Sequence, residues 1–283
     1  MPEVTLRGGE VDGLALHYVA AGRGPIVVLL HGLGGFAESW RDTIDALATR
    51  ATVFALDLPG FGRSAKPRTI YRLGYFASAL HGFLDAMGIA QASLVGHSLG
   101  GSVAVTYALT HPTRTERLAL VAGLVPGFSF KMSLGYRLIA LPVVGEALSR
   151  CGSAAVYKAA VARCFHTAKP GDVEFLVEHD YAARTSPEAR AAWLATARHI
   201  RADFVERRAD YRRALATLDL PVLFVHGRQD PAVTARHAGE AAAGVPRAAL
   251  RWVEACGHFP HLEHPQAVNG WLAEFLIGRP APR

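Results

Sequence analysis

The chain has 283 residues, 51% of them hydrophobic and 19% charged, a composition that buries a large core and excludes an intrinsically disordered protein. Thirty Lys and Arg against 24 Asp and Glu leave a net charge of +6, dispersed except for Arg198, Arg201, Arg207, Arg208, Arg212 and Arg213. That cluster is interleaved with Asp203, Glu206 and Asp210, the pattern of a solvated helix face, so no nucleic-acid partner is expected.

In chain order, residues 4–7 and 14–19 with Gly8-Gly9 and Asp12-Gly13 between them predict a hairpin. Residues 25–30 form a buried strand, followed by the glycine-rich His31-Gly32-Leu33-Gly34-Gly35 and a helix over about 38–49. A strand over 52–56, a helix over about 72–87 ended by Gly88, and a strand from Ala92 come next. The helix after Ser98 stops near His111-Pro112, and 117–122 returns to the sheet. From about Val125 to Ala216 only helical stretches appear, a run of roughly 90 residues within the size range of an inserted domain. Strands over 221–225 and 250–253, with a helix near 233–243 between them, and a last helix over about 265–276 complete the chain. Short apolar runs alternating with helices predict an α/β fold with a mostly parallel sheet flanked by helices. The interruption predicts a core of residues 1–124 and 217–283 carrying a helical cap over 125–216.

Gly96-His97-Ser98-Leu99-Gly100 lies where a strand turns into a helix. A serine hydroxyl is a poor nucleophile unless a base is in reach and its oxygen is lifted clear of neighbours. A strained turn with glycine at both ends does that lifting, so Ser98 is the expected nucleophile. Ligands of a parallel sheet bind beyond the carboxyl ends of its strands, which directs the search for partners to loops after strands. Of the 13 histidines, His258 in Ala255-Cys256-Gly257-His258-Phe259-Pro260 meets that criterion and is the expected base. His261 and His264 are rivals nearer the last helix, and His97, next to the serine, is expected to point away from the base. Asp230 in His226-Gly227-Arg228-Gln229-Asp230-Pro231 has two local readings: the acid that orients the base, or a turn aspartate capping the following helix. Two backbone N–H donors must meet the developing oxyanion; Leu99 supplies one and Leu33, or next to it Gly34, the other. The loop at 31–35 has neither a P-loop lysine nor GxGxxG spacing, so no nucleotide cofactor is expected. Cys151, Cys164 and Cys256 are odd in number and lack metal-ligand spacing, so no metal is expected and a reducing compartment fits. No apolar run spans a bilayer, and residues 1–5 carry no basic-then-apolar leader. A cytoplasmic protein without an integral membrane segment is the expectation.

Four segments in order resemble the α/β-hydrolase superfamily: His31-Gly32-Leu33-Gly34-Gly35, Asp57-Leu58-Pro59-Gly60-Phe61-Gly62-Arg63-Ser64, Gly96-His97-Ser98-Leu99-Gly100-Gly101, and Gly227-Arg228-Gln229-Asp230-Pro231 with Gly257-His258-Phe259-Pro260. The resemblance covers nearly the whole chain and implies an eight-stranded sheet and the order nucleophile, acid, base, which selects the catalytic reading of Asp230. It also implies a structural Asp57. Ser98 stands where the dehalogenase and epoxide hydrolase branches carry aspartate, which points to the serine branch. The expected activity is cofactor-free cleavage of an ester or similar acyl bond in a small, largely apolar substrate, as in carboxylesterases and lipases. Hydrolysis of a carbon-carbon bond in a ring-cleavage product, with Arg184, Arg190 or Arg198 binding an acid group, is the alternative; a non-catalytic binding protein on the same fold is a third. Phe128, Phe130, Tyr136, Tyr157, Phe165, Phe175, Tyr181 and Trp193 are candidates for lining an acyl pocket or packing the cap.

Overall fold

The computed structural model describes residues 2–130, 134–151, 153–169, 171–184 and 186–278. Eight strands, β1 (Glu3–Thr5), β2 (Ala15–Ala21), β3 (Ile26–Leu30), β4 (Thr52–Leu56), β5 (Ala92–His97), β6 (Thr115–Val121), β7 (Val222–Gly227) and β8 (Ala248–Val253), form one sheet in the order β1-β2-β4-β3-β5-β6-β7-β8. β1 and β2 make the hairpin, and β2 runs antiparallel to β4. All pairs from β4 to β8 are parallel. Strands buried on both faces read as continuous apolar runs, and the Ile-Val-Val-Leu-Leu of β3 obeys the rule.

Alternate residues of each strand feed two cores. Val27 and Leu29 of β3 pack on one face with Trp40, Leu47, Val268 and Leu272, where α1 (Arg41–Ala48) meets the last helix, α12 (Pro265–Ile277). Val28 and Leu30 pack on the other with Phe76, Phe83 and Tyr107, from α2 (Leu73–Ala86) and α3 (Leu99–Thr110). The helix expected from 38 begins one residue earlier as a 3-10 turn, Ala37–Trp40. Its start is set from a distance, because Asp57 Oδ1 accepts the Ala37 N–H at 2.6 Å.

Between β6 and β7 lie six helices: α4 (Leu134–Ile139), α5 (Val144–Cys151), α6 (Ala154–Ala162), α7 (Asp172–Arg184), α8 (Pro187–Glu206) and α9 (Arg208–Leu215), with no strand among the described residues. Named bonds seat this insertion on the sheet-bearing part. Asp203 Oδ2 of α8 accepts the Leu73 N–H of α2 at 2.9 Å, satisfying one of the amides a helix start leaves open. Tyr211 of α9 and Thr106 of α3 bond through their hydroxyls at 3.0 Å. Arg41 Nη2 donates to Asp172 Oδ1 at 2.8 Å. A third apolar cluster, Phe36, Val161, Phe165, Val173, Leu176 and Leu262, joins the insertion to loops at the strand ends.

After β7 come α10 (Ala235–Ala243) and, beyond β8, the short α11 (Pro260–Glu263). Because the strands from β4 to β8 are parallel, the loops holding Leu33, Ser98, Asp230 and His258 all leave the same edge of the sheet.

Candidate active site

Ser98 sits between β5 and α3 with φ 50° and ψ −115°, a conformation that costs a non-glycine residue roughly 1–3 kcal/mol. Three bonds hold it: its N–H donates to Val121 O at 3.3 Å, and its C=O accepts from Gly101 and Leu124 N–H, each at 3.0 Å. The flanking glycines are required by space, since a Cβ at Gly96 would lie 2.3 Å from Gly100 O and one at Gly100 would lie 2.1 Å from Leu30 O. Three of the four positive-φ non-glycine residues among those described, Ser98, Ala122 and Ala255, follow strand ends on this edge.

His258 lies in the loop after β8, and its Nδ1 is 2.8 Å from Asp230 Oδ2. A carboxylate only accepts, so Nδ1 carries the proton and Nε2 presents a lone pair. Asp230 meets the imidazole and braces its own turn, but does not cap the following helix, whose N-cap is Thr234, its hydroxyl accepting the His237 N–H. Its Oδ1 accepts the Ala232 and Val233 N–H groups at 2.8 and 2.9 Å, while Oδ2 takes the imidazole. His226 closes the other side, its Nε2 donating to Val233 O at 2.7 Å and lying 3.4 Å from Asp230 Oδ2. Burial works against the charge of Asp230, but the His258 and His226 rings and the Val233 N–H together more than offset it and hold the carboxyl below its usual range.

The peptide of His258 is fixed at both ends. Its N–H donates to Cys164 O of the insertion at 2.7 Å, and its C=O accepts from His97 Nε2 at 2.8 Å. His97 therefore does not point away from His258, as its place next to the serine suggests. Alternation itself holds, since His97 packs against Trp40 on the face of the sheet that also buries Val95; the loop after β8 closes over that face, and the His97 and His258 rings lie 4.8 Å apart. Burial, with the neighbouring imidazoles, keeps His97 neutral by pushing its pKa well below the usual value. His261 packs tilted against Trp40, ring centres 4.4 Å apart, and burial drops it to about 3. His264 Nε2 donates to Ala255 O at 3.1 Å. Asp230 bonds to neither rival.

Glu263, which sequence reasoning missed, is buried in α11 and joins the base loop to the insertion. Its Oε1 accepts the Gly257 N–H at 2.8 Å, and its Oε2 accepts those of His166 and Thr167 at 2.8 and 3.0 Å. Gly257 permits the approach, because a Cβ there would lie 2.3 Å from Cys164 O. Phe165 stacks on Phe259 at 4.7 Å beside it.

The loop after β3 lies against the elbow: a Cβ on Gly32 would sit 3.1 Å from Ser98 Cβ. His31 sets the loop, donating from Nδ1 to Gly32 O at 2.7 Å and accepting the Leu58 N–H at Nε2 at 2.9 Å. Gly35 N–H closes a turn onto Gly32 O at 3.0 Å with Gly34 at φ 75°, a type II turn in which the Leu33 amide is not consumed. Leu99 is the first residue of α3, whose leading amides have no intrahelical acceptor and carry the positive end of the helix dipole. Asp57 bonds the Ala37 and Arg63 N–H groups and His17 Nδ1, a purely structural set.

A family model described as alpha/beta hydrolase fold matches residues 25–265. The chain belongs to this family. It is 32% identical, over 96% of its length and 81% of the relative's, to an uncharacterized protein of Mycobacterium tuberculosis. It is 30% identical, over 96% of its length and 94% of the relative's, to a 2-hydroxy-6-oxononadienedioate/2-hydroxy-6-oxononatrienedioate hydrolase of Pseudomonas putida. Among solved structures, 2-hydroxy-6-oxo-6-phenylhexa-2,4-dienoate hydrolase from Rhodococcus sp. strain RHA1 superposes with a TM-score of 0.81 at 28% identity, covering 93% of this chain and 95% of that one.

Of the arginines considered for a substrate acid group in this hydrolase, Arg198 is engaged, donating to Glu146 through two nitrogens at 2.8 Å each and to Ala140 O at 3.0 Å. The Arg198 hydrogen bond holds Glu146 down to about 2. Arg190 also has an interaction within the protein, and the Arg184 side chain lies outside the described residues. The aromatic candidates divide. Phe165 packs beside the base loop and Phe175 on Phe36 at 5.5 Å. Phe130 packs with Phe204 at 6.3 Å and Tyr157 stacks on Tyr181 at 6.2 Å. Phe128 lies under Arg212, and Tyr136 Oη donates to Ala197 O at 3.3 Å. Trp193 packs against the larger core. Cys164 and Cys256 are free thiols, and burial raises Cys164 to about 11, which suits packing and not nucleophilic attack. Among the described residues there is no group of three or more His, Cys, Asp or Glu able to hold a metal ion, and no helix long and apolar enough to cross a membrane.

Proposed function

We propose that the protein is a cofactor-free serine hydrolase that cleaves an ester or similar acyl bond of a small, largely apolar substrate, with Ser98, His258 and Asp230 as its triad. The observation that carries this reading is the Asp230–His258 bond of 2.8 Å on the same sheet edge as the strained Ser98. His258 Nε2 takes the Ser98 proton as Oγ attacks the substrate carbonyl, and Asp230 stabilises the imidazolium that forms. The Leu33 and Leu99 amides receive the oxyanion, each lowering the barrier by about 3 kcal/mol. The imidazolium then protonates the departing alcohol, leaving an acyl group on Ser98. Water, deprotonated by the same ring, attacks the acyl carbonyl and releases the acid. Residues 125–216 act as a cap over this edge, and the free thiols suit a reducing compartment.

A second reading, hydrolysis of a carbon-carbon bond in a ring-cleavage product, is favoured by the 30% identity to the Pseudomonas putida hydrolase. Such a substrate brings an acid group that needs a cation, and the Arg198 guanidinium is committed to Glu146. Of the three candidate arginines, this counts against Arg198 alone. The test is turnover of p-nitrophenyl esters of graded acyl length beside a ring-cleavage product. Ester turnover with the ring-cleavage product left intact supports the first reading; rapid bleaching of the ring-cleavage product with poor ester turnover replaces it with the second.

A further inference from the structure

Large apolar side chains that face solvent are concentrated, among the described residues, in one stretch. Among the described residues, six of the eight most exposed, Leu138, Leu141, Val143, Val144, Leu148 and Val156, fall in the nineteen positions 138–156, on α4, α5, α6 and their connections. Scattered single exposures are ordinary, whereas a cluster marks a contact surface. At its tip, in the turn between α4 and α5, Val143 is 78% exposed and has φ 67°. A β-branched residue is strained there, so the turn presents an isopropyl group to solvent against its own backbone preference.

The charge of this stretch is one-sided. Between Glu116 and Asp172 the only acid is Glu146, and Arg198 neutralises it. Lys158 is paired with Glu174 of α7 at 2.6 Å. Arg137 and Arg150 are exposed and enter no ion pair among the described residues. Arg150 also borders a cavity of about 190 Å³ between α5 and α8, shared with Arg190 and Arg198.

We propose that the α4–α6 face of the insertion is a docking surface for a lipid bilayer carrying anionic headgroups, with Val143 and Leu148 entering the acyl boundary and Arg137 and Arg150 meeting phosphates. An apolar face beside exposed arginines is the composition that holds a helix in a membrane interface. A second copy fits less well, because a two-fold contact sets the same basic face against itself. Docking of this kind delivers the protein to substrates dissolved in lipid, yet it stands independently of the catalytic reading.

The test is co-sedimentation of the full chain with vesicles of phosphatidylcholine alone and of phosphatidylcholine mixed with phosphatidylglycerol, at low and high salt. Binding is expected to the mixed vesicles and to weaken with salt. Val143→Asp with Leu148→Asp should lower partitioning at least about tenfold, and Arg137→Glu with Arg150→Glu should remove the phosphatidylglycerol preference, at roughly fivefold per arginine. All variants should keep their turnover of soluble p-nitrophenyl acetate, and Ser98→Ala should bind the same vesicles. The proposal is overturned if the chain sediments with neither vesicle, or if both double variants bind as the parent does. It is also overturned if light scattering finds a dimer that Val143→Asp with Leu148→Asp dissolves, which assigns the face to self-association.

Discussion

The carboxyl edge of the sheet and the α4–α6 part of the insertion are built on opposite principles. At the edge, the ring nitrogen facing Asp230, both carboxylate oxygens of Asp230 and Glu263, and both peptide groups of His258 are each bonded to a named partner. Strain is held there, at Ser98, Ala122 and Ala255. Along α4–α6 the side chains that dominate are apolar and meet solvent. Chemistry at a serine needs atoms held to within tenths of an ångström, whereas adhesion to a soft surface needs composition without fixed geometry. Substitutions at the first region should therefore cost rate, and those at the second should cost neither rate nor fold.

The sharpest way to strain that contrast is Asp230→Asn. The amide keeps the shape but no longer selects the Nδ1–H tautomer, and kcat for ester hydrolysis should fall on the order of 10⁴. A loss of only a few-fold would move the orienting acid elsewhere.

Next comes Glu263→Gln. A glutamine cannot accept at both ends, so either Gly257 or the His166 and Thr167 amides lose their acceptor, and the base loop is free to shift. A displacement of about an ångström costs up to about 10²-fold in kcat, with KM little changed. If stability falls but kcat per folded molecule does not, the residue only braces the insertion. A smaller effect is expected from Asp203→Ala, which orphans the Leu73 amide. Stability should drop by roughly 1–2 kcal/mol, read as a lower Tm with turnover per folded molecule preserved. A variant with unchanged Tm would show that the α8–α2 contact contributes nothing.

The strands were legible because β-branched and aliphatic runs such as 26–30 and 52–56 leave little alternative. Ser98, Asp230 and His258 were legible as candidates because each follows such a run, so one rule about strand ends selects them. The residues that escaped act across long stretches of chain. Glu263 bonds amides 97 and 96 positions away, and no local pattern marks an acid whose partners are backbone groups of another element. The 3-10 turn at Ala37 begins where it does because of Asp57, 20 positions on. His97 escapes because the loop that closes over its face of the sheet comes from 161 positions further along the chain, which no pattern within β5 reveals. The exposed face of α4–α6 was hidden for a different reason: an apolar helical stretch has the same sequence whether it faces a core or the solvent.

The central claim is that Ser98 is a nucleophile activated by His258 and oriented by Asp230. It is tested most directly by treating the protein with a fluorophosphonate and mapping the modified peptide by mass spectrometry, beside Ser98→Ala and His258→Ala. Stoichiometric modification at Ser98 is expected, with none in Ser98→Ala and labelling slowed by orders of magnitude in His258→Ala. An unmodified parent, or a label on any other residue, would contradict it.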